Sequence, residues 1–354
     1  MSSRRQFGDF QARVISPLEL EPDELNYWEQ LCAPAGFLHS PFLSPHFVRA
    51  VASVRGDVHT LAVRRRCGEL AGFLPFQFRT RLHKLLRVGE PAGELMNDHF
   101  GFIAAPDVRI PPDALLRLAG LTHIQFFNLH EGQAGYGLEG ERKQAGMVLS
   151  LASSDTGSYW SDLRKRNKNF VLDTERQRRR IQEALGPLSF VLDSGNRAAE
   201  MENLIHYKRL QYVRTKGRDG LRLRWKRDLL EALAASRHPS CQGTLSTLYA
   251  GDTWVASHFG IRNQDVLSLY FPVYNPELSK YSPGRLLIRE LIEAAPAAGL
   301  SSIDCAAGDN QYKREFGNSQ YTVFAGAWYR HGLRSTAYRL SCSLRWRLLS
   351  LQQQ

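Results

Sequence analysis

Three closely spaced apolar runs in the last third of the chain constrain its fold more than any other feature. Residues 243–250 and 254–261 alternate apolar and polar side chains, and the dipeptide Gly251-Asp252 between them predicts a tight β-hairpin. A third apolar run, residues 266–273, follows after a short polar segment. The sequence therefore predicts an antiparallel meander of three strands.

A helix and a fourth strand are predicted to follow this meander. A helical apolar pattern occupies residues 284–298, and a further apolar run occupies residues 301–305. A strand, a crossover helix and a second parallel strand form a right-handed βαβ unit. The predicted fold class is therefore mixed α+β, with a mostly antiparallel central sheet flanked by helices and one βαβ crossover.

The tripeptide Ser282-Pro283-Gly284 stands where the crossover helix is expected to begin. Ser282 suits the N-cap position, and Pro283 suits the first helical position because its missing N–H has no intrahelical partner there. Gly284 lacks a Cβ, so an anion could approach the N–H groups of the first turn, where the helix dipole favours negative charge. The tripeptide is compatible with a pyrophosphate site and also with a cap that binds no ligand.

Four short patterns follow one another in this part of the chain. They are Y-x-P-G-x-L-L at residues 281–287, I-D-x3-G at 303–308, Y-K at 312–313 and F-G at 316–317. In this order they resemble the acyltransferase domain of the CelD-like branch of the GNAT superfamily, which is associated with cellulose and exopolysaccharide biosynthesis. The chain is also similar to FemAB-type transferases, which pair two GNAT-like domains, and residues 204–217 resemble a helix that precedes the core in the CelD-like branch.

The resemblance implies a donor site for acetyl-CoA or a longer acyl-CoA and no metal. The pantetheine arm would lie along the strand that carries Leu269, Tyr270, Phe271 and Val273. The pyrophosphate would lie at the turn, where the expected contacts are Lys280, Tyr281, Ser282, Gly284, Arg285 and Leu286. This turn departs from the usual Q/R-x-x-G-x-G/A pattern because it keeps only one central glycine.

Acyl transfer from a thioester requires a group that removes a proton from the nucleophile. Asp304 is the first candidate, since it ends the strand after the crossover helix, and His258 would titrate in a useful range if it faced the cleft. Tyr312 and Lys313 resemble the Y-K pair that borders the acceptor site in the CelD-like branch. For each of these four residues a purely structural role stays open.

Two further groups are candidates for contact with the acceptor. Lys208, Gln211 and Tyr212 lie within about one turn of a predicted helix and would share a face. Asp98 and His99 belong to a segment that resembles an acceptor-side loop of the CelD-like branch. The acceptor implied by the resemblance is a saccharide or a lipid-linked glycan.

The excess of positive charge indicates an anionic partner but does not identify that partner. Lys and Arg number 46 against 35 Asp and Glu, a formal net charge of +11. Residues 159–183 are predicted to form one long basic helix, which either presents a solvated face or contacts an anion such as tRNA. The tail at 329–351 alternates arginine with apolar residues and is predicted to be an amphipathic helix, docked on its own domain or on an anionic membrane.

The length of 354 residues allows two domains, and a polar stretch at 153–158 marks the expected boundary. We predict an N-terminal GNAT-like domain at 1–152 and a C-terminal acyltransferase domain with a basic C-terminal helix at 153–354. The five cysteines lack the spacing of a zinc site, and no secretory signal or apolar membrane span is recognisable. A cytoplasmic location, with possible peripheral contact at the inner membrane, is the expectation.

The predicted function is acyl-CoA-dependent acyl transfer to a sugar amine or hydroxyl in polysaccharide assembly. The first alternative is a FemAB-like transferase that takes its aminoacyl group from charged tRNA, and the basic helix would then contact the tRNA. The second alternative is a module without catalytic activity that binds a membrane or a biosynthetic complex through its tail.

Overall fold

The computed structural model describes residues 5–33, 36–151, 155–194 and 197–330. The predicted C-terminal helix therefore lies outside the described residues. The α-helices of the described part are α1 (Pro22–Leu31), α2 (Pro45–Val54), α3 (Arg81–Leu86), α4 (Pro112–Ala119), α5 (Gly157–Arg166), α6 (Lys168–Leu185), α7 (Arg197–Arg214), α8 (Arg224–Ala235), α9 (Pro283–Ala294) and α10 (Gln311–Phe316).

The strands of the described part are mostly five residues or longer, and the shortest have two. They are β1 (Arg5–Phe7), β2 (Phe10–Ile15), β3 (Val58–Arg65), β4 (Leu70–Gln77), β5 (Val88–Gly89), β6 (Ile103–Ala104), β7 (His123–His130), β8 (Arg142–Ser150), β9 (Leu188–Val191), β10 (Arg237–His238), β11 (Cys241–Ala250), β12 (Thr253–Arg262), β13 (Val266–Tyr274), β14 (Ser302–Ala307) and β15 (Ser319–Tyr329).

The chain divides into two units by its internal contacts. One unit runs through His39, continues with Val51–Gln144 and takes up the chain again from Val323, and the other comprises Ser40–Ala50 and Ala145–Thr322. The predicted domain boundary at residue 152 stays a proposal. No α-helix in the described ranges has the length and hydropathy needed to cross a membrane.

The first unit is built on a five-stranded sheet in the order β1-β2-β3-β4-β6, and the hairpin expected near residues 60–78 is its β3–β4 pair. In addition, β7 pairs in parallel with β5 and antiparallel with residues 323–329 of β15. The core of this unit consists of apolar side chains from these strands and from α4, among them Leu61, Phe76 and Leu115. The exposed helix α3 belongs to this unit and was not predicted from the sequence.

The second unit contains the predicted meander. Its strands follow the order β10-β11-β12-β13-β14-β8, and β9 also pairs with β11, at residues 247–250. The β11–β12 and β12–β13 pairs are antiparallel, and β14 pairs in parallel with β13 after the crossover through α9. Helices α7 and α8 pack on β13 and β11, whereas α9 packs on β12 and β13 and against α6.

Two local predictions in the second unit are wrong. Residues 159–183 do not form one helix, because Asn167 breaks it: its backbone leaves the helical region and its side chain accepts the Phe170 N–H as the N-cap of α6. Ser282 precedes α9 as expected, but it adopts a left-handed backbone with φ of 54° and its side chain makes no capping hydrogen bond. Pro283 does occupy the first turn.

Candidate active site

Strands β13 and β14 separate after a short parallel contact. Their pairing covers only Val266 to Ser268 on β13 and Ser302 to Asp304 on β14. Beyond Ser268, β13 continues to Tyr274 along β12, while β14 continues to Ala307 along β8. A V-shaped gap therefore opens between Leu269–Val273 and the end of β14, and backbone groups along the gap face no ladder partner in the neighbouring strand.

A bulge in β13 lies at the start of this gap. The register with β12 shifts between the pairs Ile261 with Ser268 and Phe259 with Phe271, so β13 has one residue more than β12 over this stretch. The His258 ring fills the bulge, and its Nε2 accepts the Tyr270 N–H at 3.3 Å. Gly260 leaves room for this ring, because a Cβ there would lie 2.4 Å from the His258 ring.

His258 is fully buried. Burial lowers its pKa to about 3, and the charge of Lys208 adds to the effect. A neutral imidazole with so low a pKa is a weak proton acceptor at neutral pH. The contact with Tyr270 favours a role in shaping β13 over the role of general base that the sequence suggested.

The turn before α9 is open at its glycine. The Arg285 and Leu286 N–H groups both donate to the Ser282 carbonyl, which leaves Gly284 as the first-turn donor without a partner inside the helix. A Cβ on Gly284 would find only the Tyr274 ring, at 3.7 Å. The turn therefore has both the space and the helix polarity that an anionic group requires.

Two cations lie near the ring of Tyr281, directly before this turn. The Lys280 ammonium lies 4.9 Å from the centre of the Tyr281 ring, and the Arg180 guanidinium of α6 lies 5.9 Å from it. Arg285, a predicted pyrophosphate contact, instead forms an ion pair of 2.7 Å with Asp173. Arg180 was not predicted as a site residue, because it is 101 positions away from Tyr281 in the sequence (281 − 180).

Asp304 lies at the other arm of the gap, where β14 turns away from β13. Its Oδ1 accepts the Ala306 N–H at 2.8 Å and the Tyr321 hydroxyl at 2.9 Å. The Asp304 side chain is buried, and Ala306 has a left-handed backbone with φ of 57°. Asp304 thus both caps its own turn and orients the hydroxyl of Tyr321.

Tyr321 is a site residue that the sequence did not reveal. Its ring lies against Gly146 of β8, where a Cβ would lie 2.3 Å from a ring atom. The only signal in the sequence is the alternation of residues 319–329, which is typical of a strand but says nothing about the hydroxyl.

Lys313 is buried next to the same turn. Its Nζ donates to the Ala307 carbonyl at 2.7 Å and to the Ala306 carbonyl at 3.2 Å. The ammonium therefore fixes the loop that follows Asp304 and leaves a positive charge inside the protein near the end of β14. Tyr312, its neighbour in the predicted Y-K pair, is partly buried against the core of the second unit.

On α7, Lys208 contacts β13, and its predicted role in the wall of the cleft stays a prediction. Its Nζ donates to the Pro272 carbonyl at 3.1 Å and lies 5.6 Å from the ring centres of Tyr212 and Phe271. Burial lowers its pKa to about 8. Gln211 has a buried side-chain oxygen without a hydrogen-bond partner among the described residues.

Two of the predicted acceptor contacts belong to the first unit, and a cysteine follows Asp304 in the second. Asp98 and His99 belong to the first unit, where the His99 N–H donates to the Asn97 side chain at 2.9 Å and the His99 side chain is buried. Cys305 follows Asp304 but is buried, and burial raises its pKa to about 12, which is not compatible with a thiolate nucleophile at neutral pH.

Comparison with known proteins agrees with this arrangement. Residues 168–314 match the family model described as the acetyltransferase (GNAT) domain. A crystal structure of FemX is similar with a TM-score of 0.59 and 11% identity, over 89% of this chain and 98% of that one. The C-terminal domain of a putative lysylphosphatidylglycerol synthetase from Agrobacterium fabrum is similar with a TM-score of 0.50 and 11% identity, over 91% of this chain and 96% of that one. No curated protein sequence matches this chain.

The matched residues 168–314 include both arms of the gap, the turn and Asp304, so this part of the chain is similar to a GNAT acetyltransferase domain. The overall fold of the chain is GNAT-like and FemAB-like, and the predicted fold class of two GNAT-like domains in a mixed α+β chain is confirmed. At 11% identity the likeness to solved structures concerns the fold alone.

Proposed function

We propose that this chain transfers an acyl group from an acyl-CoA thioester to an amine or hydroxyl of a saccharide. One observation carries the proposal: the gap between β13 and β14 has an open anion-binding turn beyond one arm and the hydrogen-bonded Asp304–Tyr321 pair on the other. A long donor with phosphates at one end and a reactive carbonyl at the other matches such an arrangement. The CelD-like resemblance supports the saccharide acceptor.

The donor would bind along the part of β13 that has no ladder pairing with β14. The backbone of Leu269–Val273 can pair there with the amides of a pantetheine arm, except at the Tyr270 N–H, which donates to His258, and at the Pro272 carbonyl, which accepts from Lys208. The Gly284 N–H, with Lys280 and Arg180 nearby, would hold the pyrophosphate. Arg285 contributes through Asp173 by holding α9 against α6, rather than by contact with phosphate.

In the reaction, the acceptor nitrogen or oxygen attacks the thioester carbonyl carbon, the carbon–sulfur bond breaks and coenzyme A leaves with the sulfur. The proton of the acceptor passes to the Asp304–Tyr321 pair, and the departing thiolate takes up a proton. General base catalysis of this kind contributes roughly 10²- to 10⁴-fold in rate. The buried charge of Lys313 stabilises negative charge that develops near the end of β14.

The acceptor would contact the face of α7 that carries Lys208, Gln211 and Tyr212. The buried Gln211 oxygen without a partner suits the hydroxyl or amine hydrogens of a saccharide. Such a site discriminates against analogues that lack the hydrogen-bond donor, because the Gln211 oxygen then stays unpaired.

Calorimetric titration with acetyl-CoA, with longer acyl-CoA thioesters and with free coenzyme A tests the donor class. We expect dissociation constants on the order of micromolar, with an acyl-length preference, as for an ordinary substrate. If no acyl-CoA or coenzyme A binds to the folded protein, the proposal is wrong.

A second candidate is aminoacyl transfer from charged tRNA, favoured by the likeness to FemX and by exposed cations on α5 and α6. Arg164, Lys168 and Arg179 are exposed, and no ion pair engages them among the described residues. Binding of tRNA through such cations weakens steeply with salt. Charged tRNA binding with a steep salt slope, together with no binding of acyl-CoA, would support this candidate.

A further inference from the structure

Helix α3 of the first unit exposes an apolar face that its own fold does not cover. None of its residues is buried, and Leu82, Leu85 and Leu86 are 60%, 78% and 46% exposed. Positions i, i+3 and i+4 lie on one side of a helix, so the three leucines form one continuous patch. Single exposed leucines are common in folded proteins, but three together on a helix of six residues indicate an interaction surface.

The fold holds this short helix in place without using its leucines. The Thr80 hydroxyl accepts the His83 N–H at 3.2 Å at the start of the helix, and Arg87 ends it in a left-handed conformation. Directly before β7, the Thr122 hydroxyl donates to the Leu86 carbonyl at 2.8 Å. Since a free helix of this length is unstable in water, these contacts explain why α3 persists while its apolar side chains face outward.

Positive charge surrounds the leucine patch. Arg81, Lys84 and Arg87 are exposed and have no ion pair with a carboxylate within the described part of the chain. Arg79 precedes the helix and pairs with Glu90, and no acidic residue occurs from residue 79 to residue 89. Cations next to outward leucines match a surface with negative headgroups above an apolar layer.

We propose that α3, with Arg81, Lys84 and Arg87, docks the first unit on an anionic lipid membrane. A protein partner is a poorer match, because three leucines on two helical turns provide much less area than the roughly 800 Å² per partner of a stable protein interface. A lipid surface needs no such area, since leucine side chains enter the interface individually and the cations add electrostatic attraction. The inference rests on the first unit and is independent of the proposed reaction.

Co-sedimentation of the full chain with vesicles tests the proposal. One set of vesicles contains phosphatidylcholine alone and the other also contains phosphatidylglycerol. We expect the parent chain to bind the anionic vesicles more strongly. The variant Leu82→Ser/Leu85→Ser/Leu86→Ser should bind them at least about tenfold more weakly, because it loses three apolar side chains. The variant Arg81→Glu/Lys84→Glu should lose most of the preference for phosphatidylglycerol.

A matched control removes three leucines of similar exposure from the second unit. Leu172, Leu210 and Leu223 are 50%, 47% and 46% exposed, and their joint replacement by serine should change vesicle binding less than about twofold. Because α3 buries none of its side chains, its variants should keep the circular dichroism spectrum of the parent.

Three results would overturn the proposal. The first is a parent chain that does not bind anionic vesicles. The second is a leucine variant that binds as well as the parent, which would assign any binding to another part of the chain. The third is a leucine variant that changes from a dimer to a monomer in gel filtration, since α3 would then be an interface between two copies of this chain.

Discussion

The two sides of the gap in the second unit are constructed differently. The turn at Ser282–Gly284 is open: the nearest neighbour of a Cβ on Gly284 is 3.7 Å away, and the Lys280 side chain beside it is exposed. The turn at the end of β14 is closed: Asp304 holds Tyr321 and Ala306, and buried Lys313 holds two backbone carbonyls. One turn has groups available to a ligand, and the other has its groups fixed by internal hydrogen bonds.

The difference between the open and the closed turn predicts that binding and catalysis depend on different residues. An anion that arrives and leaves requires donors that no internal group occupies, whereas a proton acceptor must be held in one geometry before the substrate arrives. We therefore expect substitutions in the open turn to change donor affinity and substitutions in the closed turn to change turnover. The predictions below test that separation.

The largest effect is expected for Asp304→Asn. Turnover should fall by roughly 10²- to 10⁴-fold, because the amide cannot accept the proton of the acceptor, while acyl-CoA affinity changes by less than about threefold. Steady-state kinetics and calorimetry measure the two quantities. Asp309→Asn is the matched control, since Asp309 is exposed and pairs only with Arg314 in the contacts described. Unchanged turnover in Asp304→Asn would remove this residue from the mechanism.

Gly284→Glu, in contrast to Asp304→Asn, should change acyl-CoA affinity rather than turnover. A carboxylate at the first turn of α9 repels the pyrophosphate and fills the space beside Tyr274, so the dissociation constant for acyl-CoA should rise about 100-fold, roughly 2.7 kcal/mol. Gly284→Ala is the control, because its Cβ fits at ordinary contact distance. If the folded Glu variant binds acyl-CoA as the parent does, the turn is not the pyrophosphate site.

Tyr321→Phe should lower turnover about tenfold, since Asp304 loses the hydroxyl that it holds. Gly146→Ala should have a similar effect, because the added Cβ displaces the Tyr321 ring. The double variant should be no slower than the worse single variant, as both act on one group. Gly56→Ala is the control, as a Cβ there has no neighbour within 4 Å. Additive losses would show that Gly146 acts on something other than Tyr321.

The smallest effect is expected for the stability of the protein in acid, to which His258 contributes. Its pKa is lowered from 6.5 to about 3 in the folded protein. Between these values the unfolded chain takes up a proton that the folded protein does not, so the free energy of unfolding decreases as the pH falls through this window.

His258→Gln keeps a hydrogen-bond acceptor for Tyr270 but cannot be protonated. Its free energy of unfolding, measured with urea, should decrease less than that of the parent between about pH 7 and about pH 4, because this range covers most of the window between the unfolded pKa of 6.5 and the folded pKa of about 3. His206→Gln, on the exposed side of α7, should behave like the parent. The same pH dependence in parent and His258→Gln would show that His258 does not control acid stability.

The elements around the gap could be predicted from sequence because their signals are local. Gly251-Asp252 marks the β11–β12 turn, and the apolar pattern after Pro283 marks α9. Asp304 was identified as a candidate because it was expected at the end of a strand, whereas β14 continues to Ala307 and Asp304 lies where its pairing with β13 stops. Its catalytic role stays a proposal.

The partners of these residues could not be predicted, because they come from distant parts of the chain. Tyr321 lies on β15 and contacts Asp304 on β14, 17 positions earlier, and Arg285 pairs with Asp173 across 112 positions. The side-chain direction of His258 depends on a bulge in β13, for which the alternating pattern gives no signal. The break at Asn167 was missed because helical apolar spacing continues on both sides of it.

The burial of Cys305 has a consequence for the chemical integrity of the protein. Acyl-CoA thioesters acylate accessible thiolates without any catalyst, and a cysteine adjacent in sequence to Asp304 would be an obvious target for such self-modification. With 1% of its surface exposed and its pKa raised to about 12, Cys305 stays a protonated thiol out of reach of the donor. A sulfur atom next to the reactive centre is thereby protected from the very reagent that the enzyme is proposed to use.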